Sequence, residues 1–178
     1  MLMLLLSAVA LAYVFLVSFG ALSDLSTFRI PNWVSYGLVL LFLVQSIFLP
    51  VHGAGMTREF IQASPLALNL GIGLFVLIVS LIFWGRGYIG GGDAKFLVAT
   101  SLWMGPVGGV YFMILVSGLS VLMALMLKAS SNFGFLIHAG KLPAFVKQLY
   151  AKFEDKKLPF GFPIGIAALI MMPQIFST

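Results

Sequence analysis

The chain has 178 residues, 61% of them hydrophobic and only 8% charged, with a net charge of +5 and a mean hydropathy of +1.12. That balance excludes a soluble globular domain and marks an integral membrane protein. The absence of cysteine excludes disulfides, thiol nucleophiles and cysteine metal sites, and in a membrane protein the positive charge reports orientation rather than nucleic-acid binding.

The first apolar segment predicts a span over about residues 1–22. It has no basic leading region and is longer than a signal-peptide core, so it reads as a permanent span. Asp24 opens the polar stretch Asp24-Leu25-Ser26-Thr27-Phe28-Arg29-Ile30-Pro31-Asn32. A second span is predicted over about 33–49, with Asn32 as its N-cap, and a third over about 65–84. The run Gly90-Gly91-Gly92-Asp93-Ala94-Lys95-Phe96 then leads into a short fourth span, about 94–104. Eleven helical residues rise only about 16 Å against a hydrocarbon core of about 30 Å. This segment must therefore lie partly inside the protein or borrow length from the glycine run. Gly105-Pro106 breaks the helix, since proline removes a donor, and a fifth span follows over about 107–127.

The loop over about 128–158 carries its own pattern. Phe145, Val146, Leu149, Tyr150 and Phe153 form a helical stripe, Lys147 and Lys152 fall off it, and Pro143 suits a first turn. This predicts a basic amphipathic helix lying on the inner leaflet. The sixth span, about 160–175, opens at Pro159-Phe160-Gly161-Phe162-Pro163.

The chain thus reads as a single all-α, membrane-embedded domain with six spans. One bent helix from Ala94 to Leu127 would give five spans instead. Charge separates the two readings. With six spans and an external N-terminus, the internal loops hold Arg29, Arg86, Lys95, Lys128, Lys141, Lys147, Lys152, Lys156 and Lys157, and the external loop holds only Arg58. That is a strong positive-inside bias. Trp33, Tyr36, Trp84 and Tyr88 fall near the proposed inner interface, as aromatic belt residues do. Two spans separate Asp24 from Asp93, so both aspartates emerge on the same, cytoplasmic face.

Those two aspartates are two of only five acidic residues. Ionisable groups near hydrocarbon are costly and point to function, and two carboxylates that can meet suffice for acid/base hydrolysis. Each alone is weak: a polar stop after a span, or a helix-capping aspartate after a glycine turn. His52 and His138 are far apart and lack a metal-ligand pattern, so neither a metal nor another cofactor is expected.

Three separated elements are more specific in combination. They are Asp24 followed by Arg29, Ile30, Pro31 and Asn32; the G-x-G-D-x-K run of Gly90, Gly91, Gly92, Asp93 and Lys95; and Pro159, Gly161 and Pro163 at the start of the last span. In order and spacing they resemble the type IV prepilin peptidases, membrane aspartic proteases that share G-x-G-D with presenilin and signal peptide peptidase. The spacing is that of the short members serving tight-adherence, or Flp, pili. Longer members carry a cysteine-containing cytoplasmic segment associated with N-methylation, for which the stretch from Leu22 to Asn32 leaves no space.

The resemblance implies a peptidase of the bacterial cytoplasmic membrane that removes the leader from prepilin-like membrane substrates, with Asp24 and Asp93 catalytic and no nucleic-acid partner. Lys95 and Arg29 would either tune the site or mark the inner interface. Pro159 and Gly161 would shape the start of the helix. The net-positive loop at 128–158 would repel a basic leader and is not assigned to its capture. Two rival readings use the same residues. A small ion- or proton-coupled transporter predicts carboxylates near mid-membrane. An inactive assembly scaffold has no need to retain both aspartates.

Overall fold

A computed structural model of the chain describes residues 2–48, 65–132 and 159–176, and every regular element among them is an α-helix. In order these are α1 (Leu2–Thr27), α2 (Asn32–Phe48), α3 (Pro65–Gly85), α4 (Gly91–Ser101), α5 (Gly105–Asn132) and α6 (Gly161–Phe176). Within them Leu4–Thr27, Leu66–Gly85 and Gly105–Met126 are long and apolar enough to cross a membrane, and Asn32–Ile47 and Gly161–Pro173 are shorter apolar helices. A helix satisfies its own backbone, which is what hydrocarbon requires. The outer faces expose Leu11, Phe15, Leu74, Phe75 and Ile114, a surface matched to lipid tails. The protein is a polytopic, all-helical membrane protein.

α4 is the short central element. It packs against α2, α3, α5 and α6 and buries Ala94, Phe96, Leu97, Ala99, Thr100 and Ser101. The two hydroxyls survive burial because they bond back to their own helix. Thr100 Oγ1 donates to the carbonyls of Phe96 (2.9 Å) and Leu97 (3.0 Å), and Ser101 Oγ donates to Val98 (2.8 Å). Beyond α4, the Trp103 ring stacks 4.7 Å from the buried Tyr13 ring of α1 and 5.9 Å from Phe42 of α2.

Close approaches fix the directions of the helices. Gly91 lies against Trp84, Leu102 against Gly73, and Gly105 against Asn69, so α4 runs antiparallel to α3. Gly109 then meets Ile72, so α5 runs back alongside α3. Gly161 meets Asp24, and Gly165 meets Ala21 and Val17, so α6 is antiparallel to α1. The ends of α1, α3 and α5 and the starts of α2, α4 and α6 therefore gather at one end of the bundle. Trp33, Tyr36, Trp84 and Tyr88 are exposed at that end.

Local boundaries differ from the sequence expectation in instructive ways. α1 continues to Thr27, which places Asp24 inside its last turns rather than after them. α4 starts at Gly91, so two of the three glycines are helical. The break before α5 is made by Gly105, whose φ of 64° is left-handed. Pro106 follows in the first turn of α5, where proline is tolerated because no donor is needed. Arg58, the two histidines and the amphipathic stripe from Phe145 to Phe153 lie outside the described residues.

Candidate active site

Asp24 is 2% exposed, and its Oδ2 accepts the backbone N–H of Gly161 at 2.8 Å. Gly161 opens α6, where first-turn N–H groups lack helical partners and carry the positive end of the helix dipole. A buried carboxylate is the natural complement to such a group. The approach demands glycine: a Cβ at position 161 would stand 2.9 Å from Asp24 Oδ2 and 2.5 Å from Ile30 Cδ1.

Asp93 lies in the first turn of α4, ahead of the apolar segment 94–104. Its Oδ2 turns back to accept the N–H of Gly90 at 3.3 Å, while the Gly90 carbonyl accepts from Ala94 N–H at 3.0 Å. The capping role weighed for Asp93 is therefore present. It does not exhaust the residue. Burial, and then the charge of Asp24, push the Asp93 carboxyl up to about 7, against the opposing pull of the Gly90 and Gly161 N–H groups. The charge of Asp24 thus acts on Asp93, as does the Gly161 amide that Asp24 accepts.

The supporting residues divide. Gly92 rests on the backbone of Ile30, and Gly91 faces the Trp84 indole. Lys95 Nζ donates to Asn32 Oδ1 at 3.1 Å, which joins the first and second motifs. This replaces the N-cap role expected of Asn32. Asn32 is the first residue of α2, and the Pro31 carbonyl accepts the opening bond from Val34 N–H at 3.1 Å. Pro159, Gly161 and Pro163 are buried where α6 starts, whereas the Arg29 side chain is exposed. Among the described residues, no three metal-ligating side chains come together.

Sequence reasoning missed three contributors, Ser23, Thr27 and Phe28, and named Ile30 only as a member of the first motif. Ser23 Oγ donates to the Arg29 carbonyl at 2.9 Å, and Thr27 Oγ1 shares its proton between the Ser23 carbonyl at 2.8 Å and that of Arg29 at 3.2 Å. Phe28 adopts a left-handed φ of 55°. Ile30, 8% exposed, packs between Gly92 and Gly161. The i, i+4 spacing of Ser23 and Thr27 at a helix end was a usable signal. Phe28 offered none, since bulky residues avoid that conformation.

A model of the type IV leader peptidase family matches residues 3–126. No curated protein and no solved structure matches the chain.

Proposed function

Because this chain belongs to the type IV leader peptidase family, we propose that it is a membrane aspartic endopeptidase that cleaves the leader from type IV pilin-like precursors of the Flp class. The observation that carries this reading is that Asp24, bonded to the Gly161 amide, and Asp93, in the first turn of α4, lie at one end of the bundle, where the charge of Asp24 acts on Asp93.

Two neighbouring carboxyls cannot both ionise cheaply, so the pair shares one proton. We assign that proton to Asp93, whose carboxyl is pushed up to about 7, while the pair titrates as a unit. Asp24, fixed by the Gly161 N–H, takes a proton from water. The hydroxide equivalent attacks the scissile carbonyl as Asp93 donates to its oxygen. The tetrahedral intermediate then collapses with proton return to the leaving amine. No covalent enzyme intermediate and no metal enters this sequence, and the short stretch between Leu22 and Asn32 argues against a methyltransferase activity.

Arg29, Arg86 and Lys95 lie at the same end of the bundle as the carboxylates, which supports a cytoplasmic site in an inner bacterial membrane. A leader there is reached from the cytoplasm while the substrate helix stays in lipid. The same location weighs against an ion pathway, which would hold its carboxylates at mid-depth. The test is co-expression with Flp-type pilin precursors, reading leader removal by mass spectrometry. Uncleaved precursors across a panel of such substrates would refute the proposal.

A further inference from the structure

The segment from Phe28 to Asn32, which joins α1 to α2, is restrained at every residue. Phe28 sits in the left-handed region at φ 55°, a strained state that persists only where surroundings impose it, and its N–H closes on the Asp24 carbonyl at 2.8 Å. The Arg29 carbonyl is held by the Ser23 hydroxyl, with the Thr27 hydroxyl shared between it and the Ser23 carbonyl. Ile30 is wedged between two helix starts. A methyl group added at Gly92 would meet its backbone oxygen at 3.6 Å, and one added at Gly161 would meet its Cδ1 at 2.5 Å. Pro31 has a fixed φ, and Asn32 holds Lys95 at 3.1 Å. One short segment therefore touches the turn of Asp24, the turn of Asp93 and the glycine whose amide serves Asp24.

We propose that this segment is the spacer that sets the separation of the two carboxylates, with Ile30 as its wedge and the Asn32–Lys95 bond as its tether. Lys95 is then a positioning residue that acts on Asp93 through α4. The inference rests on the peptidase reading for its consequence in rate, but the geometry has its own readout. The Asn32–Lys95 pair is exposed, so its loss should leave folding intact while α4 shifts relative to α1. Misplacement by about 1 Å costs on the order of a hundredfold in rate.

The experiment uses the full chain in membranes. Asn32→Ala and Lys95→Met should each lower kcat by roughly ten- to a hundredfold with KM little changed. The double variant should be no worse than either single one, as expected for one shared interaction. Asn32→Asp, whose carboxylate still accepts from Lys95, should stay near wild type. In parallel, Asp24→Cys and Asp93→Cys are introduced together into this cysteine-free chain and joined with bis-thiol reagents of graded length. Adding Asn32→Ala should lengthen the shortest reagent that links the two thiols. An unchanged reach overturns the spacer, whatever the rate does. A wild-type chain that cleaves no pilin precursor overturns the peptidase reading instead, and the crosslinking series still decides the spacer.

Discussion

The backbone N–H of Gly161 meets the carboxylate of Asp24 at 2.8 Å across 137 residues of chain. That single bond joins the last described helix to the first and turns two distant sequence elements into one place. It also explains the small residues nearby. Gly161 and Gly165 stand one helical turn apart and both face α1, where Gly165 packs on Ala21 and Val17, as small-xxx-small faces do in membranes.

Gly161→Ala tests this contact. Its Cβ would crowd both the Asp24 carboxylate and Ile30, so stability should fall by about 1–3 kcal/mol and leader cleavage should be lost. Gly165→Ala crowds Ala21 and Val17 but leaves the carboxylate alone. It should cost similar stability while the surviving folded protein keeps its activity. Thermal unfolding in detergent and cleavage per folded molecule separate the two. Equal losses of activity in both variants would mean that α1–α6 packing alone matters.

Asp24→Asn and Asp93→Asn should each reduce cleavage by about 10²–10⁴-fold while insertion persists. Asparagine keeps the shape, and its side-chain oxygen still accepts the Gly90 or Gly161 N–H, but it cannot cycle a proton. Either variant working at more than about a tenth of the wild-type rate contradicts a dyad.

Much of this arrangement was legible beforehand. The apolar runs gave the helices because hydrocarbon leaves the backbone no alternative, and the parity of spans put both aspartates at one end. The site's internal wiring was not legible. Nothing in Asn32 or Lys95 alone announces a bond over 63 residues, and the expected local cap was an equally good use of the same amide. Gly161 could be read as a residue for starting a helix, but its amide becomes a ligand only once α6 lies against α1. The left-handed Phe28 stops α1 with its N–H on the Asp24 carbonyl, a common helix ending placed on a bulky residue that the sequence does not single out for it.

The pH response follows from Asp93. Its carboxyl is raised from 3.8 to about 7, first by burial and then by the charge of Asp24. A proton held on Asp93 in the working enzyme is lost as pH rises through about 7, so kcat/KM should fall on that alkaline side. For stability the sign is the same. A group whose folded value lies above its unfolded value contributes fully below about 3.8, and the contribution is gone above about 7. Aspartate labelled with ¹³C at the carboxyl offers a direct check, since the chain has only Asp24, Asp93 and Asp155. Asp24→Asn should move the Asp93 titration to lower pH by removing the neighbouring charge. A titration that stays in place would show that burial acts alone.

Cleavage should persist in strong chelators and after treatment with serine- and cysteine-directed reagents. The chemistry assigned to Asp24 and Asp93 needs only water and one shared proton, and a chain without cysteine offers no thiol to block. A metal-assisted route would instead use the carboxylates as ligands, and the bound ion would then hold both of them ionised. The two routes therefore differ in pH behaviour as well as in chelator response. A metal site loses its ion and its activity as the carboxylates protonate, so activity should rise with pH, whereas the dyad requires a protonated partner and loses activity as Asp93 ionises. Full activity in chelator together with an alkaline loss near pH 7 supports the dyad. Inactivation by chelator, restored by zinc, would overturn it.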